Sequence, residues 1–263
     1  MGWVMGKIYC VYFLLLVLTV LAACRGIGGN TCVPVEHPAK PGDQKPVLLF
    51  TGTGTSPCDV IAVEAIMDGI HLDYATANSA QLNRLTDSQL GAYRLLLMPG
   101  GNFIDMGRSL TPATATNIHN AVNNGLNYLG ICAGGFLAGK SAYYNGFNLA
   151  SGATFGFYSA EEKNIRKAAV PITIAGGPGM DQYWQDGPQF TGWGSVVAKY
   201  PDNKPAIVEG KSGKGWVILS GIHAEAPENW RGGMDFSTPT NADNAYAAKL
   251  IQAALRGSAL QHY

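Results

Sequence analysis

The chain has 263 residues, and its 18 Lys+Arg balance its 18 Asp+Glu to give zero formal net charge. That length suits one large α/β domain, and the lack of a basic surplus excludes nucleic acid as a partner. Charged residues are only 14% and glycines number 34, which points to a compact, turn-rich chain and away from a disordered one.

The N-terminus reads as a leader. Lys7 precedes a nearly unbroken apolar run over residues 8–21, short for a membrane span but in the charged, apolar, small order of a secretory signal. Leu21-Ala22-Ala23-Cys24 resembles a bacterial lipobox. That resemblance implies a leader over residues 1–23, lipid on Cys24 and attachment to a membrane through it. An ordinary signal peptide that leaves Cys24 free is the alternative. Arg25, where some lipoproteins carry aspartate, implies the periplasmic side of the outer membrane in a bacterial envelope. Residues 24–45, rich in Gly and Pro, read as a tether.

Of the five cysteines, Cys10 leaves with the leader, Cys24 carries lipid, and Cys132 belongs to the motif described below. Cys32 and Cys58 remain. An exported protein sits in an oxidising compartment, so a Cys32–Cys58 disulfide tying the N-terminal arm to the first helix is expected. Two free thiols, or a pairing with Cys132, fit the same count.

Residues 46–50 are a short apolar run, expected as a buried parallel strand. The loop that follows, Thr51 to Thr55, lacks the Gly-Lys-Ser/Thr or GxGxxG of a phosphate cradle, so no nucleotide cofactor is expected. Helical spacing follows over 59–68, then alternation over 70–74 as a second strand, with His71 on its solvent side. Thr86 and Gln89 form a capping box for a short helix. Residues 93–98 form the third strand and run into Pro99-Gly100-Gly101, a turn whose bare N–H groups suit one half of an oxyanion hole. Thr111-Pro112 caps an amphipathic helix that stops at Gly125, with His119 on its surface.

The next strand, over 126–131, enters Gly130-Ile131-Cys132-Ala133-Gly134-Gly135. A reactive side chain on a sharp strand-to-helix turn needs small neighbours, and a helix N-terminus aimed at a sulfur favours the thiolate. The alternative for Cys132 is a buried, inert thiol. Residues 143–193 are rich in Gly, Tyr, Phe and Trp without helical periodicity, and read as β-hairpins walling a site. Residues 205–209 and 216–220 form a strand pair. The second strand ends in Gly221-Ile222-His223-Ala224-Glu225, where a continued strand would turn both His223 and Glu225 into one cleft. His223 can then take the thiol proton, and Glu225 can orient the ring. Residues 241–256 close the chain as an amphipathic helix.

Together, Pro99-Gly100-Gly101, the Cys132 turn and the His223/Glu225 segment resemble the class I glutamine amidotransferase-like superfamily. More narrowly, they are similar to the domain named after the N-terminal region of eukaryotic biotin–protein ligases. The resemblance implies a flavodoxin-like α/β fold over residues 46–257: an open, mostly parallel sheet with helices on both faces and an aromatic β-hairpin insertion. It implies Cys132 as nucleophile, His223 as base and Glu225 as orienting acid, with Gly101 and Ala133 as oxyanion donors. The activity expected is cysteine-dependent hydrolysis of a small-molecule or peptide amide through a thioester, with no cofactor and no metal. A non-catalytic envelope binding protein on the same fold is one alternative, and a redox-sensing thiol at Cys132 is another. No segment reads as a biotin-ligase catalytic domain, so biotin attachment is not implied.

Overall fold

All four residues of the first strand, β1 (Val47–Phe50), are buried, because layers on both faces of the sheet leave neither side of the strand to solvent. The computed structural model describes residues 32–38, 45–158 and 167–263. The leader and Cys24 lie outside the described residues. No helix among the described residues is long and apolar enough to cross a membrane.

After β1 come α1 (Pro57–Gly69), β2 (Tyr74–Ala77), α2 (Ser79–Leu82), α3 (Asp87–Leu90), β3 (Leu95–Met98) and α4 (Phe103–Ser109). Then follow α5 (Pro112–Asn124), β4 (Asn127–Ile131), α6 (Ala133–Leu137) and β5 (Thr154–Phe157). The chain continues through β6 (Lys167–Ile174), β7 (Gly179–Gln185), β8 (Pro188–Thr191) and β9 (Ser195–Lys199). It ends with β10 (Pro205–Ser212), β11 (Gly215–Ser220) and α7 (Thr240–Arg256).

Nine of these strands form one sheet in the order β2-β1-β3-β4-β11-β10-β9-β6-β7. From β2 to β11 every pairing is parallel, and from β11 to β7 every pairing is antiparallel. The sheet is therefore mixed, where a mostly parallel one was expected. Part of the aromatic segment supplies the difference: β6 and β7 form a hairpin that extends the main sheet, and β5 and β8 form a separate two-stranded sheet.

Alternation along the strands sorts the core into two layers. Val47 and Leu49, with Leu95, Leu97, Leu129 and Ile131, pack against α1 and α7. Leu48 and Phe50, with Leu96, Met98 and Tyr128, pack against Met106 of α4, Ile118 and Val122 of α5, and Leu137 of α6. Helices thus cover both faces, as expected. Cys32 and Cys58 form a disulfide with their Cα atoms 5.0 Å apart, fastening the N-terminal arm to the first turn of α1.

Candidate active site

The strand-to-helix turn at Cys132 is strained. Its φ of 48° and ψ of −106° lie outside the regions open to side-chain-bearing residues, a conformation that persists only when its surroundings over-determine it. They do so here. The Cys132 N–H donates to the Ser220 carbonyl at 2.7 Å, and the Cys132 carbonyl accepts from Gly135 N–H at 2.9 Å. The thiol donates to the Gln185 carbonyl at 3.6 Å. Behind the sulfur, α6 is five residues of small and apolar type, all of them buried.

The Pro-Gly-Gly turn after β3 faces this elbow. Gly101 has a φ of 146°, and a Cβ there would lie 2.2 Å from the Gly54 carbonyl oxygen, so only glycine serves. The Thr51–Thr55 loop packs behind the turn: Ser56 N–H donates to the Gly100 carbonyl at 3.0 Å, and Asn102 N–H donates to the Gly54 carbonyl at 2.8 Å. That loop buttresses the turn. Gly101 and Ala133 both line the cavity that holds Cys132.

β11 stops at Ser220, so His223 and Glu225 are not on a continued strand. A turn brings them together instead. His223 Nδ1 and Glu225 Oε1 are 2.9 Å apart, and the His223 N–H of the backbone donates to the Tyr183 carbonyl at 2.8 Å. Both side chains are buried, with residue exposures of 4% and 2%. The structure brings in a third group that sequence reasoning missed. Asp59, in the first turn of α1, places Oδ1 3.1 Å from the same His223 Nδ1. Its only sequence signal was an acidic residue just after a strand's carboxyl end, beneath the Ser56 cap. Gly100 makes room for the cluster, since a Cβ on it would meet Asp59 Oδ1 at 2.0 Å and His223 Cε1 at 2.7 Å.

Burial by itself would lower the His223 pKa. The facing Cys132, Glu225 and Asp59 outweigh that effect and hold it well above the ordinary imidazole value. Asp59, His223 and Glu225 are also the residues here that could hold a metal, with one ligand atom from each lying within 4.8 Å of the others.

Cys132, Asp59 and His223 open onto a cavity of about 840 Å3. One wall is aromatic: Phe103 and Phe136 stack with centroids 4.3 Å apart, and Phe157 leans on Phe136 at 5.2 Å. Tyr183 and Trp230, also in the lining, flank His223 with ring centroids at 5.8 and 6.0 Å. Lys167, Gln185 and Asp186 also line the cavity. His71 and His119 take no part; His119 instead binds the Phe147 carbonyl through Nδ1 at 3.0 Å.

Solved structures similar to this chain carry the fold alone. The polyextremophilic β-galactosidase from the Antarctic haloarchaeon Halorubrum lacusprofundi is 13% identical with a TM-score of 0.50, over 80% of this chain and 30% of that one. The β-galactosidase from Bacillus circulans sp. alkalophilus is 11% identical with a TM-score of 0.50, over 82% and 31%. Among curated proteins, the biotin–protein ligase of Schizosaccharomyces pombe is 27% identical over 213 residues, which is 68% of this chain and 33% of the relative. The chain thus spans about a third of the length of that relative.

This match corrects the functional expectation. The similarity is to a biotin–protein ligase and not to a cysteine amide hydrolase, and it lends no support to a nucleophilic cysteine, a catalytic triad or a lipoprotein assignment. The segment that holds the Pro-Gly-Gly turn and the Cys132 elbow leads to the same reading: residues 45–151 match the family described as biotin–protein ligase, N terminal.

Proposed function

We propose that this chain has a biotin-ligase-related role as a ligand-binding domain, whose cavity takes a small acid of the biotin type. The domain comprises residues 46–257, and its parallel half is flavodoxin-like. The observation that carries the reading is the cavity itself. Its volume of about 840 Å3 falls in the range of small-molecule sites, and its lining combines stacked aromatic rings with a few polar and charged groups. Biotin combines an apolar chain and ring with a ureido head and a carboxylate. The chain would lie along Phe103, Phe136 and Phe157. The backbone N–H groups of Gly101 and Ala133 would donate to the ureido oxygen. Lys167, a cation in the lining, would meet the carboxylate. Cys132, His223 and Glu225 are site residues in this reading, with Cys132 at the floor and Glu225 orienting the ring.

Titration of the full chain with biotin, followed by calorimetry and by Trp230 fluorescence, tests this. Saturable one-to-one binding is expected, together with protection of Cys132 from iodoacetamide. Phe136→Ala should weaken binding about tenfold, a loss of roughly 1.4 kcal/mol. No binding up to about 1 mM biotin, the limit of even weak specific affinity, overturns the reading.

A further inference from the structure

We infer that Asp59, His223 and Glu225 form a zinc site at the floor of the cavity. The three residues come from distant places, α1 and the turn after β11, yet Asp59 Oδ1, His223 Nδ1 and Glu225 Oε1 all lie within 4.8 Å of one another. Their hydrogens do not balance. A single ring N–H on Nδ1 faces Glu225 Oε1 at 2.9 Å and Asp59 Oδ1 at 3.1 Å. The better-placed hydrogen bond goes to Glu225, and Asp59 Oδ1, in ion-pair range of the same nitrogen, is left buried with no hydrogen bond of its own. Asp59 as a whole is 7% exposed, so solvent does not satisfy it. A buried acceptor left this way destabilises the fold, and more so when it is charged.

Their charges do not balance either. With a neutral imidazole the cluster carries two negative charges, and with an imidazolium it carries one. Arg231 is committed to Asp243, and Lys167, the cation in the cavity lining, forms no ion pair with either carboxylate among the described residues. A divalent cation displaces the Nδ1 proton to solvent and binds the lone pair that it frees, cancels the two carboxylates and gives Asp59 Oδ1 its partner. One nitrogen and two oxygens form a borderline donor set that suits zinc, which binds such ligands at about 2.0–2.2 Å. Three protein ligands leave a fourth position for water or ligand. Asp59 and His223 both line the cavity, so that position is reached from it. The sequence holds no ligand spacing for such a site, because the ligands meet only through the fold.

The test uses the full chain, stripped with a chelator and then given zinc chloride, with no biotin present. Elemental analysis after gel filtration should find one zinc per chain, and the melting temperature should rise with zinc. Asp59→Asn and Glu225→Gln should each weaken zinc binding about tenfold or more, while Cys132→Ala should leave it unchanged. A wild-type chain that retains no zinc overturns the inference. Zinc binding that survives both carboxylate substitutions, or is lost only in Cys132→Ala, also overturns it. The wild-type measurement decides even if Asp59→Asn does not fold. Zinc and biotin are titrated separately, so either reading can fail without the other.

Discussion

A Cβ on Gly134 would lie 2.0 Å from the Met98 carbonyl oxygen, so the first turn after Cys132 rests directly on the end of β3. The Gly134 N–H reaches the same strand end, donating to the Pro99 carbonyl at 3.2 Å. The elbow and the Pro-Gly-Gly turn are therefore one packed unit. A methyl group at position 134 forces backbone apart, because the atom it meets is a carbonyl and not the end of a flexible side chain. Gly134→Ala should destabilise by about 1–3 kcal/mol, as overpacked core positions do. Gly69→Ala is the matched control: it ends α1 with nothing within 4 Å of the added Cβ. It should be neutral or stabilise by a few tenths of a kcal/mol. Chemical denaturation of both variants decides, and equal midpoints would refute the packing argument.

The Cys32–Cys58 disulfide should contribute measurable stability. It closes a segment with a sequence separation of 26 residues, for which the loop-closure argument gives about 3.5 kcal/mol. Cys58 also lines the cavity beside Asp59, so reduction loosens the start of the helix that carries Asp59. Denaturant unfolding with and without reductant should differ by about 2–4 kcal/mol. Cys32→Ser without reductant should reproduce the reduced curve. Coincident curves would show that the crosslink is idle.

Features that depend on near neighbours in the chain were legible in the sequence. Thr86 and Gln89 form the expected reciprocal cap, with Gln89 N–H to Thr86 Oγ1 at 3.2 Å and Thr86 N–H to Gln89 Oε1 at 2.9 Å. Thr111 caps α5, and Gly125 ends it with a φ of 126°. The alternation over 70–74 was misleading. Ile70 ends α1 and His71 turns the chain with a φ of 53°, so β2 begins only at Tyr74. α4 was not read because Gly107 interrupts its pattern and its cap, Asn102, directly follows a turn. Asp59 was invisible for a different reason. Nothing near it in sequence marks it as a partner of His223, and only the β1-β3-β4-β11 order of the sheet brings the two together.

A buried ion pair holds the Trp230 side of the cavity. Arg231 binds Asp243 through Nη2, and its Nη1 donates to the Thr238 carbonyl at 2.8 Å. Gln182 Nε2 donates to the other Asp243 oxygen at 2.6 Å, which joins β7 to α7. Removing one partner strands the other charge in the interior, at a cost of about 3–5 kcal/mol. Asp243→Ala should therefore cost that much in denaturant unfolding and should raise Trp230 fluorescence quenching by added iodide. Unchanged quenching would mean that the pair does not position this wall.

Glu64 should make stability depend on pH. The residue is buried on α1 beneath the N-terminal arm, at 6% exposure. Burial, and then the neighbouring Asp68, lift its carboxyl from 4.5 to about 7, while a hydrogen bond to the Val35 backbone pulls the other way. Between those two values the folded chain keeps a proton that the unfolded chain has released. Its contribution is fully present below pH 4.5 and is lost as pH rises through about 7. The loss is on the order of 1 kcal/mol per pH unit across the window. Glu64→Gln removes the titration while keeping the shape. Stability measured at several values from acid to neutral should therefore fall less steeply in the variant than in the wild type. Parallel curves would show that Glu64 keeps its ordinary carboxylate behaviour despite its burial.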